Sequence, residues 1–227
     1  VPADGHAPVA PDAAAAIRIS RPPSHHPMKP VVAPGEPSDA HAAVFAAFPV
    51  LETERLVLRR LTPGDAPALF GIFSDPELIR FWSSPAYTTV EDAHDLVRRI
   101  DDNFERRAGM DWGVTLRGDE HVIGKCAFHR WLPAHRRAEI GYAIARPMWR
   151  QGLATEAVRA LLDFGFAAMD LHSVEAQVDP GNAGSIRTLE RLGFVREGHL
   201  RENYFMHGVF NDTLVYSLLR RAYRPAP

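Results

Sequence analysis

The stretch Trp149-Arg-Gln-Gly152-Leu-Ala154-Thr-Glu-Ala157 holds the residue types and spacing from which chemistry is most directly read. It follows an apolar, strand-like segment (Glu139 to Ala145) and opens a long apolar-periodic helix pattern from Leu153 to Met169. A tight turn between a strand and a helix leaves backbone N–H groups pointing outward, where the positive end of the helix dipole reinforces them. Gly152 and Ala154 carry little or no side chain, so a ligand can approach the main chain closely. A phosphate-bearing ligand fits such a turn; the competing reading is an ordinary strand-to-helix connection. No Gly-Lys-Ser/Thr and no Gly-x-Gly-x-x-Gly occurs, which removes the P-loop and the dinucleotide fingerprint. No serine or cysteine nucleophile with a neighbouring base is visible either.

The elements that must position this turn belong to a chain of 227 residues with 46% hydrophobic content, enough to bury a real core. A net charge of −2 offers no general attraction to nucleic acid. The single cysteine, Cys126, excludes an internal disulfide framework, fits a reducing compartment and lies in a strand pattern, as a buried structural thiol. No apolar run approaches the ~20 residues that span a membrane, so the expectation is a soluble, cytoplasmic protein. The eleven histidines form no metal-like cluster; His129 and His135 flank Trp131-Leu-Pro without a Cys or carboxylate at ligand spacing, and structural or solvent-exposed roles are expected for them.

Residues 1–48 read as a mobile tail: nine of the 19 prolines fall before residue 45, among alanines and without sustained apolar periodicity. Ala13 to Ile17 is too short for a secretory signal, and Met28 is a candidate natural start. Residues 49–224 read as one domain. Arg55 to Arg59 alternates as a first strand, and Thr62-Pro63 caps a helix through Phe73. An amphipathic helix spans Val90 to Ala108, and strands cover Trp112 to Leu116, His121 to Phe128 and Ala138 to Ala145. After the long helix come a strand (Ser173 to Val178), a helix capped by Asn182 and stopped by Gly193, and strands Phe194 to Tyr204 and Phe210 to Leu219. This order predicts an α+β fold.

Four segments together resemble the GNAT superfamily of acetyl-CoA-dependent N-acetyltransferases, and within it the Rim-type ribosomal-protein N-terminal acetyltransferases. They are Leu51-Glu-Thr-Glu-Arg-Leu-Val-Leu-Arg59, Ala138-Glu-Ile-Gly-Tyr-Ala-Ile144, Gly152-Leu-Ala-Thr-Glu-Ala157 and Asn182-Ala-Gly-Ser-Ile-Arg-Thr-Leu-Glu-Arg-Leu-Gly-Phe194. The resemblance covers about residues 50 to 220. It implies a mixed, mostly antiparallel central sheet flanked by helices, with two central strands splayed to form an acetyl-CoA cleft. It further implies that backbone groups around Tyr142 and Ile144 pair with the pantetheine arm and that the amides of Gln151, Gly152, Leu153, Ala154 and Thr155 hold the pyrophosphate. The family's loop usually has Gln or Arg where Trp149 stands, with Arg150 and Gln151 displaced along the chain. Because backbone amides dominate such capture, it is expected to survive, with Arg150 a candidate contact.

Within this resemblance Asn182 is a candidate pantetheine contact, beside its plain role as an N-cap. Ser185, one turn on, is the candidate acid for the departing sulfur. Glu139, where the amine would enter, is the candidate base, directly or through water; its alternative is a strand-edge carboxylate paired with Arg136 or Arg137. An α-amine (pKa ~7.7–8.0) is about one-third neutral near pH ~7.5, against roughly 0.1% of a lysine-like amine at ~10.4, so a protein N-terminus asks little of a base. The expected reaction is direct attack on acetyl-CoA in a ternary complex, most directly by a protein or peptide N-terminus. Alternatives are a small amine acceptor (polyamine, amino acid or antibiotic) or a non-catalytic acyl-CoA-binding module. No metal, nucleic acid or membrane partner is expected, and the state is monomer or homodimer.

Overall fold

The computed structural model describes residues 43–206 and 208–225. Most of the expected tail lies outside these residues. Residues 43–48 do not behave as tail: Phe48 packs on Phe104 and Trp112 at ring-centroid distances of 5.1 and 5.6 Å, and Phe45 on Phe104 at 5.2 Å. These ring contacts begin the packed chain before residue 49, and the Trp112 indole N–H donates to the Pro49 carbonyl at 2.8 Å.

Strands β1 (Leu51–Glu52) and β2 (Leu56–Arg59) lead into helices α1 (Ala66–Phe73), α2 (Pro76–Ile79) and α3 (Val90–Glu105). Then follow β3 (Met110–Leu116), β4 (Val122–Leu132), β5 (Arg137–Ile144), α4 (Leu153–Ala167), β6 (Ser173–Val178), α5 (Ala183–Arg191), β7 (Val195–Met206) and β8 (Val209–Leu219). One eight-stranded sheet runs in the order β1-β2-β3-β4-β5-β6-β8-β7, antiparallel throughout except for the parallel β5–β6 pair. This is the α+β fold that the order of elements predicts and the mixed, mostly antiparallel sheet flanked by helices that the resemblance implies.

Local chemistry explains where elements begin and end. The Asp65 carboxylate accepts from the Thr62 amide (2.7 Å) and hydroxyl (2.9 Å), and this box first closes a 3-10 turn over Pro63–Asp65, so α1 proper starts at Ala66. Asp92 caps α3 in the same way through the Thr88 and Thr89 amides. That helix stops three residues short of Ala108 because Arg107 turns left-handed (φ 56°), with the Ala108 amide on the Asn103 carbonyl and the Arg107 amide on that of Phe104. Gly193 (φ 90°) ends α5 by the same two-bond pattern, as its type announces.

Two clusters cover the two faces of the sheet. Phe128, Ile140, Leu161, Leu162 and Leu189 belong to the larger, beneath α4 and α5. Leu61, Leu69, Phe73, Val97 and Ile100 form the second, beneath α1 and α3. Between them the sheet opens. β5 and β6 pair only at Arg137–Ser173, Ala138–Val174 and Glu139–Glu175, after which β5 runs on to Ile144 and β6 to Val178 without pairing to each other. Among the described residues no helix is long and apolar enough to cross a membrane.

Candidate functional site

The opening between β5 and β6 is one end of a cleft of about 1020 Å³. At its mouth the chain leaves β5, makes a 3-10 turn over Arg146–Met148 and enters α4 through two left-handed residues, Arg150 (φ 64°) and Gly152 (φ 77°). Gly152 is the N-cap of α4 and has no side chain to cap with. The first amide to find a helical partner is that of Glu156, on the Gly152 carbonyl at 3.0 Å. The amides of Leu153, Ala154 and Thr155 therefore have no intrahelical acceptor, and these three residues line the cleft. The Arg150 guanidinium also lines it and has no partner among the described residues. Free amides at a helix N-terminus beside a free guanidinium suit a diphosphate.

Arg55, which sequence reasoning did not select as a site residue, sets this loop. Its amide donates to Glu156 Oε1 (2.9 Å), its Nε to Oε2 (2.7 Å) and its Nη1 to the Gln151 carbonyl (3.0 Å), while the Thr53 hydroxyl reaches Oε1 at 2.6 Å. Burial works to raise the Glu156 pKa, but these donors prevail and hold the carboxyl below its ordinary range. A carboxylate in the first turn would repel a diphosphate; Arg55 neutralises it. Thr53 and Arg55 lie in the turn between β1 and β2, inside the first of the four segments that carry the resemblance, yet the partner of Arg55 lies 101 residues away in the chain. Trp149, the departure from the family's loop, donates its indole N–H to the Ile144 carbonyl at 2.6 Å, so that carbonyl already has one donor.

Alternation along β5 sorts the remaining groups by face. On the α4/α5 side, the Tyr142 hydroxyl lies 2.7 Å from Ser185 Oγ. Burial drives the Tyr142 phenol upward, against the hydrogen bond with Ser185, and keeps it protonated. The Asn182 side-chain oxygen accepts the Ser185 amide at 3.0 Å, so Asn182 is an N-cap as its position predicts, and it also lines the cleft. Tyr142 and Ser185 thus form a pair of hydroxyls able to pass a proton toward the gap; the sequence placed Tyr142 there only for its backbone.

On the other face, Glu139 and Gly141 turn toward the side covered by α1 and α3, with Phe81 and Trp82 completing the wall. The Glu139 carboxylate binds Arg130 at 3.1 Å. Its expected partners are engaged elsewhere: Arg136 with Asp170 at 2.6 Å and Arg137 with Glu175. The reason is the irregularity in the β4–β5 ladder after His129, where Arg130 turns left-handed (φ 45°) and swings toward Glu139. His129, expected to be structural, lines the cleft directly opposite Glu139 in register. Burial and the nearby Lys125 ammonium depress its pKa, Asp111 opposing them. Among the described residues no three His, Cys, Asp or Glu side chains converge as a metal site. Cys126 is buried, and burial pushes its thiol up to about 12, an inert state.

A parted parallel strand pair, a helix N-terminus with bare amides and a hydroxyl pair at the gap define a transferase for an acyl group carried on a phosphorylated thiol. The model for the acetyltransferase (GNAT) domain matches residues 55–195, and the chain belongs to this family. It is 37% identical over 173 residues to the uncharacterized N-acetyltransferase YoaA of Bacillus subtilis, covering 76% of this chain and 98% of that one. It is 28% identical over 170 residues to a spermidine N(1)-acetyltransferase of Vibrio cholerae, 74% and 95% of the two chains. A solved spermidine N-acetyltransferase from Vibrio cholerae, in complex with CoA and spermine, matches with a TM-score of 0.67 at 24% identity, over 75% of this chain and 99% of that one. The protein is an acetyl-CoA-dependent acetyltransferase acting on an amine, and acetyl-CoA is its acyl donor.

Proposed function

We propose that the acceptor is a small primary amine with one cationic centre and an apolar body. The observation that carries this is the balance of charge in the cleft. Two carboxylates line it, Glu139 and Asp179, against three guanidiniums, Arg150, Arg187 and Arg191. Glu139 already shares its charge with Arg130, and Asp179 accepts the Gly181 amide at 2.6 Å. Such a surface attracts the anionic donor and holds a single ammonium, but it is a poor host for a polycation. Phe81, Trp82 and Tyr204 on the walls suit an apolar or aromatic amine. Similarity to the spermidine enzyme supports the small-amine class, while the charge selects a monoamine within it.

In this reading the amides of Gln151, Gly152, Leu153, Ala154 and Thr155, with Arg150, hold the diphosphate. The backbone of Tyr142 and Ile144 and the side chain of Asn182 guide the arm between the parted strands. Glu139 draws the amine in, directly or through water, and Ser185 gives its proton to the leaving thiolate, replenished from Tyr142. A second reading, the N-terminus of a protein and with it the Rim-type branch, is favoured by one observation. The cleft reaches the β7–β8 hairpin, where Phe205 and Phe210 are 62% and 64% exposed with tilted rings 5.0 Å apart, an open apolar rim that a peptide could cross. Free-CoA release with 2-phenylethylamine, spermidine, an aminoglycoside and peptides with free Ser or Ala N-termini separates the readings. Turnover highest on the monoamine supports the first, highest on the peptides the second, and highest on spermidine overturns the charge argument.

A further inference from the structure

We propose that the His129 imidazole is the group that takes the proton from the acceptor amine, with Glu139 guiding the amine rather than deprotonating it. The inference rests on the amine-acetylating reading above and goes beyond it by assigning the base.

The geometry is specific. A Cβ placed on Gly141 would lie 2.8 Å from His129 Nε2 and 3.1 Å from its Cδ2, so the imidazole overhangs β5 at the one residue where the strand leaves room for it. Gly141 immediately precedes Tyr142, whose hydroxyl meets Ser185 on the opposite face. The proposed base therefore lies against β5 at Gly141, and the proposed acid meets the tip of the next side chain, which leaves the strand on the other side. Neither ring nitrogen of His129 has a hydrogen-bond partner among the described residues, and the ring lines the cleft. By contrast Glu139 has one oxygen on Arg130.

The electrostatic setting agrees. The charged groups facing His129 are Lys125 and Asp111, a buried ion pair behind it on β4 and β3, and Glu139 with Arg130 beside it. From α2 onward the facing residues are the uncharged Leu78, Phe81, Trp82 and Ser83. Burial and Lys125 keep the imidazole neutral at neutral pH, which leaves a lone pair free to accept. The need is also clear: at pH ~7.5 an alkyl amine with pKa ~10.4 must lose a proton at a cost of about 4 kcal/mol. The step balances. The ammonium gives one proton to His129, which releases it to solvent. The neutral nitrogen then bonds to the thioester carbonyl carbon and passes its second proton to the same imidazole, the C–S bond breaks, and the thiolate takes a proton from Ser185, which regains one from solvent through Tyr142.

The test is His129→Gln and His129→Asn in the full chain, assayed with acetyl-CoA and 2-phenylethylamine or a free-Ser peptide, whichever the wild type turns over. Expected are a fall in kcat of about 10²-fold or more, an unchanged calorimetric Kd for CoA, and loss of the acid limb of the kcat/KM profile, with a smaller kcat effect and a retained limb for Glu139→Gln. Turnover of either folded, CoA-binding variant within about threefold of wild type overturns the proposal. An arm independent of turnover uses diethyl pyrocarbonate on the wild-type protein, read by peptide mass spectrometry. Carbethoxylation of His129, slowed by CoA, supports a free imidazole at the gap; an unmodified His129, or one that CoA does not protect, overturns it. A wild type inactive on every amine tested counts against the acceptor reading, and the carbethoxylation arm then decides His129 alone.

Discussion

On the proposed donor side the cleft is lined by one segment, Gly152 to Thr155, whose main-chain amides would bind, and on the proposed acceptor side by side chains brought together from β4, β5 and the chain after α2. The first wall needs only a left-handed Gly152 and a helix that starts there. The second needs strand register, a ladder irregularity at His129 and a missing side chain at Gly141. The donor wall therefore tolerates changes of side chain outside its turn, whereas the acceptor wall can be retuned by single substitutions without disturbing CoA. That asymmetry is what a family with one donor and many acceptors requires.

The largest effect that would break the comparison is at Gly152. Gly152→Val places a β-branched residue at φ 77°, and CoA affinity should fall about 10²-fold by calorimetry, or ~2.7 kcal/mol. Unchanged affinity would mean that the turn does not hold the donor. Next, Ser185→Ala should lower kcat ~10- to 100-fold with little change in KM for acetyl-CoA, and Tyr142→Phe should do the same more weakly. Equal loss of CoA affinity would place the hydroxyl pair on the donor wall. Gly141→Ala sharpens the contrast: the new methyl must push the His129 ring aside, so turnover should drop about tenfold while CoA binding stays put. The smallest effect is expected at Glu156. Its carboxyl is depressed in the fold, so its stabilisation is present above the unfolded carboxylate pKa and is lost as pH falls through the folded value. Glu156→Gln should cost about 1 kcal/mol in urea denaturation at pH ~7, and the difference from wild type should vanish under acid below the carboxylate range.

Single residues account for what could be read early. Asn182 and Gly193 bracket α5 because a side-chain cap and a left-handed stop are decided within a few bonds of the chain. Gly152 marks the donor turn for the same reason. Arg107 ends α3 with an identical left-handed geometry, yet an arginine gives no such notice, and the helix was expected to run to Ala108. Phe45 and Phe48 sit in a proline- and alanine-rich stretch whose composition argues against order, and only their ring contacts with Phe104, Trp112 and Trp131 reveal the packing. His129 had no ligand or base at local spacing to mark it, because its partner in the site lies across a strand ladder.

The chain alone determined the order of elements, the caps and the left-handed turn at Gly152, because these follow from backbone geometry and short-range hydrogen bonding, while acetyl-CoA entered through the resemblance of four segments to a known family. Only the tertiary structure decided that Arg55 secures Glu156, that Arg130 rather than Arg136 or Arg137 meets Glu139, that Tyr142 faces Ser185, and that His129 overhangs Gly141. Those meetings depend on the β4–β5 register, on the parting of β5 from β6 and on the placement of β2 beside α4. All three are set by burial of the two apolar clusters, a force that acts on surfaces rather than on neighbours in sequence.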